Sequence, residues 1–427
     1  MMKRRQIRRG GRGLRLPGLL IAVVLMVLGI WEGWLADSAG SAVDRVPKPG
    51  NLRAMWVTQY DQAAWFLENG RPRTESDFRK SVRQAVGRMA GAGINAVFLQ
   101  VRPFGDSFYP SAVYPPSAMA VGRSGGQFTY DPLGVWVEET RAVGLALHAW
   151  INPFRAMTEG ELLQVDPSYA LRQWREDEAL RGTRIVCVEG RWYLNPADQA
   201  ARELILSGAA ELLARYELAG IHIDDYFYPT TDPAFDAAAY AMAGNGRSLG
   251  DFRREQVNLL VRGLWRLCHE AGVLFGISPA GNPDACYARD YADVFLWGRE
   301  PGYVDYLCPQ LYFGFEHQTH GFLSLCAGWQ ELAAAGGTPL VIGLTLGKAH
   351  AGEDPLAGTG RFEWREHSDV LARSAATAAA LPNCVGTALF CYQYCWDPVT
   401  GNPCAAASAE REGYFAAIGG LWGDADP

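Results

Sequence analysis

An eightfold alternation restricts this chain more than any other feature. Short apolar runs recur from Leu52 to Tyr392, separated by amphipathic segments that close on glycine. The runs are LRAMWVT from Leu52, INAVFLQV from Ile94, LALHAWI from Leu145 and GIHID from Gly220. They continue with VLFGIS from Val273, VDYLCPQLY from Val304, LVIGLTL from Leu340 and VGTALFCY from Val385. Each reads as a strand buried on both faces, as in a parallel sheet covered by helices. Strand, helix, glycine and strand again, eight times over, predicts an α/β chain folded as a (β/α)₈ TIM barrel. The competing doubly wound open sheet is disfavoured by the number of units and by the lack of a glycine-rich phosphate turn.

Helix punctuation supports that reading. Thr74-x-x-Asp77 opens a helix that closes near Gly91 and Gly93, and Asp131-Pro132 places an N-cap before an N1 proline. Asn195-Pro196 is expected to do the same for a helix running to Gly220, and Asp251 to start the next one. The loops after strands two, three and four, 102–129, 152–194 and 226–250, are long, with a small hairpin predicted inside the second. Long loops at the carboxyl ends of the strands are where such a barrel builds its site.

The barrel is expected over residues 51–427, behind a basic arm with a signal or anchor helix (1–36) and a polar linker (37–50). Seven basic residues, from Lys3 to Arg15, precede an uncharged apolar stretch from Leu16 to Trp31. That order is the order of an export signal, with the arm kept in the cytoplasm. An uncleaved anchor, holding the catalytic domain outside a membrane, is favoured over a cleaved signal peptide. Without those seven residues the rest of the chain carries 32 basic against 46 acidic side chains, a balance of −14. An acidic body argues against a nucleic-acid partner, which needs a basic surface. The nine cysteines are odd in number and mostly lie in apolar runs, so most read as small buried hydrophobes.

Residues just past each strand project into the mouth of a barrel. Reading strand ends in turn collects Gln59, Asp61, Gln100, Arg102, Asp106, His148, Trp150, Asn152 and Arg155. Then come His222, Asp224, Asp225, Ser278, Gln310, Tyr312 and Glu316. Carboxylates and amides interleaved with aromatic rings suit a polyhydroxylated ligand. The sharpest run is GIHIDDYFYP, Gly220 to Pro229, where two adjacent acids close an apolar strand. Such acids are costly to desolvate unless they are solvated, paired or functional. Strand alternation puts His222 and Asp224 on one face and Asp225 on the other. His148 and His222 also fit the plainer role of satisfied core histidines. His317-x-x-His320 is the one close histidine pair, too little for a metal site, and neither metal nor cofactor is expected.

Several longer blocks carry a resemblance. INAVFLQVRPFGDSFYPS, YDPLGVWVEETRAVGLALHAWINPFR, LNPADQAARELI, GIHIDDYFYP, FGISPAGN and VDYLCPQLYF occur in that order. Together they closely resemble the glycosyl hydrolase-like family ten, bacterial barrel enzymes of the cell envelope. The resemblance implies cleavage of O-glycosidic bonds in an envelope polysaccharide, peptidoglycan glycan strands above all, particularly strands stripped of peptide. The fourth-strand block also looks like the α-amylase-type G-x-R-x-D, with Gly220, His222 and Asp224 in register and His in place of Arg. That analogy favours Asp224 as the nucleophile. Glycoside cleavage normally takes two carboxyl groups. Asp225 is either the partner or a brace, and the second acid is sought among Glu316, Asp106 and Asp61, with Glu316 ranked first. Arg102, Asp106, His148, Trp150, Asn152, His222, Tyr226, Gln310 and Tyr312 are the expected substrate-binding groups. A non-catalytic, envelope-tethered glycan-binding barrel is the alternative.

Overall fold

The computed structural model describes residues 49–422. The expected signal or anchor helix lies outside the described residues. Among the described residues no helix is long and apolar enough to cross a membrane.

Eight parallel strands close into a barrel, each paired with its neighbours in chain order and the last with the first. They are β1 (Leu52–Val57), β2 (Ala96–Arg102), β3 (Ala146–Ile151) and β4 (Gly220–Ile223), followed by β5 (Leu274–Ile277), β6 (Tyr306–Leu307), β7 (Leu340–Thr345) and β8 (Cys384–Phe390). All eight coincide with the expected runs, with β2 reaching one residue past its run to Arg102 and β8 starting one residue before its run at Cys384. Strand β6 is shorter than its run because Pro309 has no N–H for the ladder. Isolated bridges from Gln310 to Ala280 and Gly343 carry the wall upward instead.

Alternation along the strands separates two cores. Ala54, Trp56, Ala96, Phe98, Trp150, Tyr306 and Val341 pack together inside the barrel. Their neighbours of opposite parity, Met55, Val57, Val97, Leu99, Ala149, Ile221 and Ile223, join the larger cluster under the helices. Most strands are therefore apolar at both parities, which is why the sequence shows runs rather than alternation, and β4, with Gly220 and His222 facing inward, is the exception.

The outer helices are α1 (Glu75–Gly91), α2 (Pro132–Ala142), α3 (Gln199–Arg215) and α4 (Leu249–Ala271), then α5 (Val294–Arg299), α6 (Phe322–Ala334), α7 (Val370–Ala379) and α8 (Ser408–Leu421). Thr74 and Asp131 cap α1 and α2 as expected, each accepting a backbone N–H with its side chain. Two starts differ from expectation. Helix α3 is capped by Asp198, because Asn195 turns its amide to the Thr183 carbonyl and to the Ala197 N–H. Helix α4 is capped by Ser248, and Asp251 sits one turn in, bonded back to the Ser248 hydroxyl at 2.6 Å. A hydroxyl followed three residues later by an acid is a capping-box arrangement, so the start lies at the hydroxyl.

The long excursion after β3 contains the predicted hairpin, Ile185–Val188 with Arg191–Leu194, and a third strand, Arg155–Thr158, added to it. That small sheet stands beside the barrel mouth. All nine cysteines are free thiols.

Candidate active site

Asp224 is the residue after β4 and keeps the inward parity of His222. It is 3% exposed. A row of amides reaches it from the neighbouring strands. The Gln59 backbone N–H donates to Gln100 Oε1 at 2.9 Å, and Gln100 Nε2 donates to Asn152 Oδ1 at 2.7 Å. Asn152 Nδ2 in turn donates to Asp224 Oδ2. Because each amide accepts on its oxygen and donates from its nitrogen, the first donor sets the direction of the whole row. The Tyr226 N–H approaches Asp224 Oδ1 at 3.4 Å. The Trp150 indole N–H closes no well-formed hydrogen bond, yet it leans on the same carboxyl and favours its charged form.

Burial pushes the Asp224 carboxyl well above the usual aspartate range, and the charge of Asp225 pushes it the same way. Asp225 is raised too, chiefly by burial, against opposing help from Gln310 and Arg155. Its side chain is half-buried by accessible surface although protein surrounds it on most sides. Asp225 is thus the more open of the two acids at the barrel mouth. The charge of Asp225 opposes ionisation of Asp224, so the first charge formed opposes the second.

A buried polar layer lies below Asp224. His222 Nε2 meets Ser278 Oγ at 3.0 Å, His222 Nδ1 meets the Tyr306 hydroxyl at 3.0 Å, and that hydroxyl meets His148 Nδ1 at 3.3 Å. Phe98 stacks on the His222 ring at 4.1 Å. Burial lowers both histidines, His148 to about 4, so both are neutral. They are positioning groups in the floor of the site, out of reach of a ligand. Space for this layer comes from glycine. A Cβ on Gly276 would lie 2.0 Å from Tyr306 Cζ, and one on Gly220 would lie 2.6 Å from His148 Nδ1.

Around the opening stand Tyr226, 49% exposed, and Tyr312, whose hydroxyl proton is held by burial and by the nearby charges of Asp225 and Asp224. Gln310 donates to the Ser278 carbonyl at 3.1 Å, and its amide favours the charged form of Asp225. The other expected residues lie elsewhere. Arg102 is 1% exposed and donates to the carbonyls of Asn152 and Pro153, with its guanidinium 4.4 Å over the Tyr114 ring. It braces the turn that carries Asn152. Asp106 is buried as well, accepting the Phe104 N–H at 2.9 Å. Asp61 is fully buried and caps its own turn through Thr58 while accepting the Gln393 N–H at 2.8 Å. Burial lifts it to about 7. Glu316 does not join the pair. It is exposed, lies 3.5 Å from His367, and its backbone N–H is held by Glu363 at 2.9 Å.

One acid near the pair has no local sequence signal. Asp290 ends the π-helical turn Cys286–Asp290 after β5, just before Tyr291 in the left-handed region at φ 55°. Burial and the charge of Asp225 raise its carboxyl to about 6. The loop after β5 thus returns a third carboxyl to the neighbourhood of Asp225, although the strand itself ends in Ser278-Pro279.

A parallel eight-stranded barrel with coupled acids at the carboxyl end of β4 and aromatic rings around them is the architecture of the barrel glycosidases. The chain belongs to the glycosyl hydrolase-like 10 family, whose profile matches residues 51–352. It is similar to "Glycosyl hydrolase DigH" of Escherichia coli (strain K12), 27% identical over 91% of this chain and 94% of that one. It is also similar to "Glycosyl hydrolase YngK" of Bacillus subtilis (strain 168), 29% identical over 78% of this chain and 67% of that one. Among solved structures, the PgaB (BpsB) glycoside hydrolase domain from Bordetella bronchiseptica shares the fold. The TM-score is 0.53 at 12% identity, over 85% of this chain and 98% of that domain.

Proposed function

We propose that this chain hydrolyses O-glycosidic bonds in a cell-envelope polysaccharide, with peptidoglycan glycan strands as the substrate, through Asp224 and Asp225. The observation that carries this reading is the pair of adjacent acids at the carboxyl end of β4, Asp224 buried and held by a directed amide row and Asp225 partly open. Burial and mutual repulsion disfavour the doubly ionised pair and so favour a singly protonated one. Hydrolysis needs that state, with one carboxyl to protonate the leaving oxygen and one carboxylate to meet the positive charge developing at the anomeric carbon. Asp224 is assigned the carboxylate role because the Asn152 amide donates to it and the Trp150 indole N–H beside it favours its charged form, against the burial that raises it. Asp225, less sealed, is the proton carrier, since that group must regain a proton in every cycle. Tyr226 and Tyr312 offer ring faces and hydroxyls to sugar units on either side, and Gln310 positions Asp225.

The envelope as the place of action is supported by the basic arm and apolar stretch before Trp31. Digestion of intact peptidoglycan, peptide-stripped glycan strands and α- and β-linked neutral polysaccharides, read as new reducing ends, tests the substrate. The expected result is release from the stripped strands above all others. Binding to strands without new reducing ends would instead identify a glycan-binding barrel.

A further inference from the structure

Beside the two acids stands a group of arginines that the hydrolytic steps do not use. Arg155 opens the outer strand Arg155–Thr158, three residues past Asn152, and Arg191 opens the strand that pairs with it. Both guanidinium groups lie over the ring of Phe104, at 5.1 Å for Arg155 and 4.6 Å for Arg191. Arg155 also lies 4.7 Å over the ring of Tyr226. The sequence Arg191, Phe104, Arg155, Tyr226 therefore forms one continuous stack, and its inner end adjoins the acids, because the Arg155 charge acts on both Asp224 and Asp225.

The stack differs from the other arginines of the same excursion. Arg175 is bonded to Glu159, and Arg184 to Asp198 at 3.1 Å. Among the described residues neither Arg155 nor Arg191 forms an ion pair with a carboxylate. Arg191 donates one N–H to the Ala156 carbonyl at 2.8 Å, and the Nε of Arg155 is buried without a partner. Two like charges on one ring repel each other unless an anion neutralises them. All four side chains are only partly buried, and Tyr226 is the most open.

Resting on the hydrolase reading above, we infer that Arg155 and Arg191 form a subsite for a sugar carrying a free carboxylate, so that the substrate is an acidic glycan. The planar guanidinium fork matches a carboxylate in a way an ammonium does not, and the exposed ring of Tyr226 supplies a face for the sugar that bears it. Two sources share this chemistry: the lactyl ether carboxylate of a peptide-free muramic acid unit, and the ring carboxylate of a uronic acid. An amide-blocked carboxyl has lost the charge that the subsite recognises.

The test uses the full chain with Asp224→Asn, so that binding is read without turnover. Its affinity is measured for peptide-stripped glycan strands, for the same strands after chemical reduction of their carboxyls to alcohols, and for a polyuronate. The expected result is at least tenfold tighter binding of the native strands than of the reduced ones, with the difference erased by adding Arg191→Gln and only partly restored with Arg191→Lys at low salt. Tighter binding of the polyuronate than of the strands would assign the uronic source. Equal affinity for native and reduced strands, or binding of neither, would overturn the inference. Cleavage of reduced strands by the wild-type chain at an undiminished rate would also overturn it, while leaving the hydrolase reading intact.

Discussion

Asp224 is held in place by two neutral amides and, among the described residues, by no ion pair. Gln100 and Asn152 have the inward parity of their strands, and a single backbone donor, the Gln59 N–H, orients both. Asn152→Ala is expected to lower kcat by about a hundredfold with little change in KM, since the carboxylate remains but loses its alignment. Gln100→Leu should cost less, and the double variant less than the product of the two, because both act through one oxygen of Asp224. Additive losses in a double-mutant cycle would show that the row does not act as a unit. The pair also sets the pH dependence. Both acids are raised above the ordinary aspartate value of 3.8 by burial, so protonation that removes the working carboxylate begins at higher pH than for a solvated acid. The acidic limb of kcat/KM should therefore fall above pH 4. Full activity retained at pH 4 in an intact protein would contradict the raised pair.

Strands and helices position these residues through size as much as through hydrogen bonds. The floor of the site needs Tyr306 and His148 to reach across β5 and β4, and both strands provide glycine where the rings pass. Gly276→Ala is expected to destabilise the barrel by about 1–3 kcal/mol, because the fully buried Tyr306 ring has no space to retreat into. A denaturation midpoint unchanged from wild type would refute that packing account. Helix α4 supplies the other brace. Its Arg253, fully buried, bonds Asp236 at 2.6 Å, the Asp232 carbonyl at 2.7 Å and the Tyr291 hydroxyl at 3.1 Å. It thereby ties the loop after β4 to the turn that carries Asp290. Arg253→Met leaves Asp236 buried without its counter-charge, and a loss of about 3–5 kcal/mol is expected in chemical denaturation. A loss below 1 kcal/mol would mean that Asp236 finds another partner.

At the scale of the whole molecule, what could be read from the sequence follows from what is local. The eight strands were legible because burial on both faces makes each one a continuous apolar run. Asp224 and Asp225 were legible because two acids at the end of such a run are hard to explain otherwise. Gln100 was visible as a strand-end residue, but its role was not, since the row depends on the register of three strands. Glu316 looked like a partner only because it follows strand six; its loop turns outward to His367. Asp290 is brought to Asp225 by a turn with a left-handed residue, and Arg191 meets Phe104 across 86 intervening positions that share no periodicity. Distance in sequence, rather than weak signal at the residues themselves, separates the legible half of the site from the rest.

The central claim is that the pair beside β4 breaks glycosidic bonds. Purified peptide-stripped glycan strands incubated with the wild-type chain and with Asp224→Asn, followed by the masses of the products, test it most directly. The expected result is shortened strands that have gained one water per cut with the wild-type chain. With Asp224→Asn, correctly folded by its circular dichroism, the rate should be lower by about a thousandfold or more. Wild-type rates from the folded variant would contradict the assignment of Asp224.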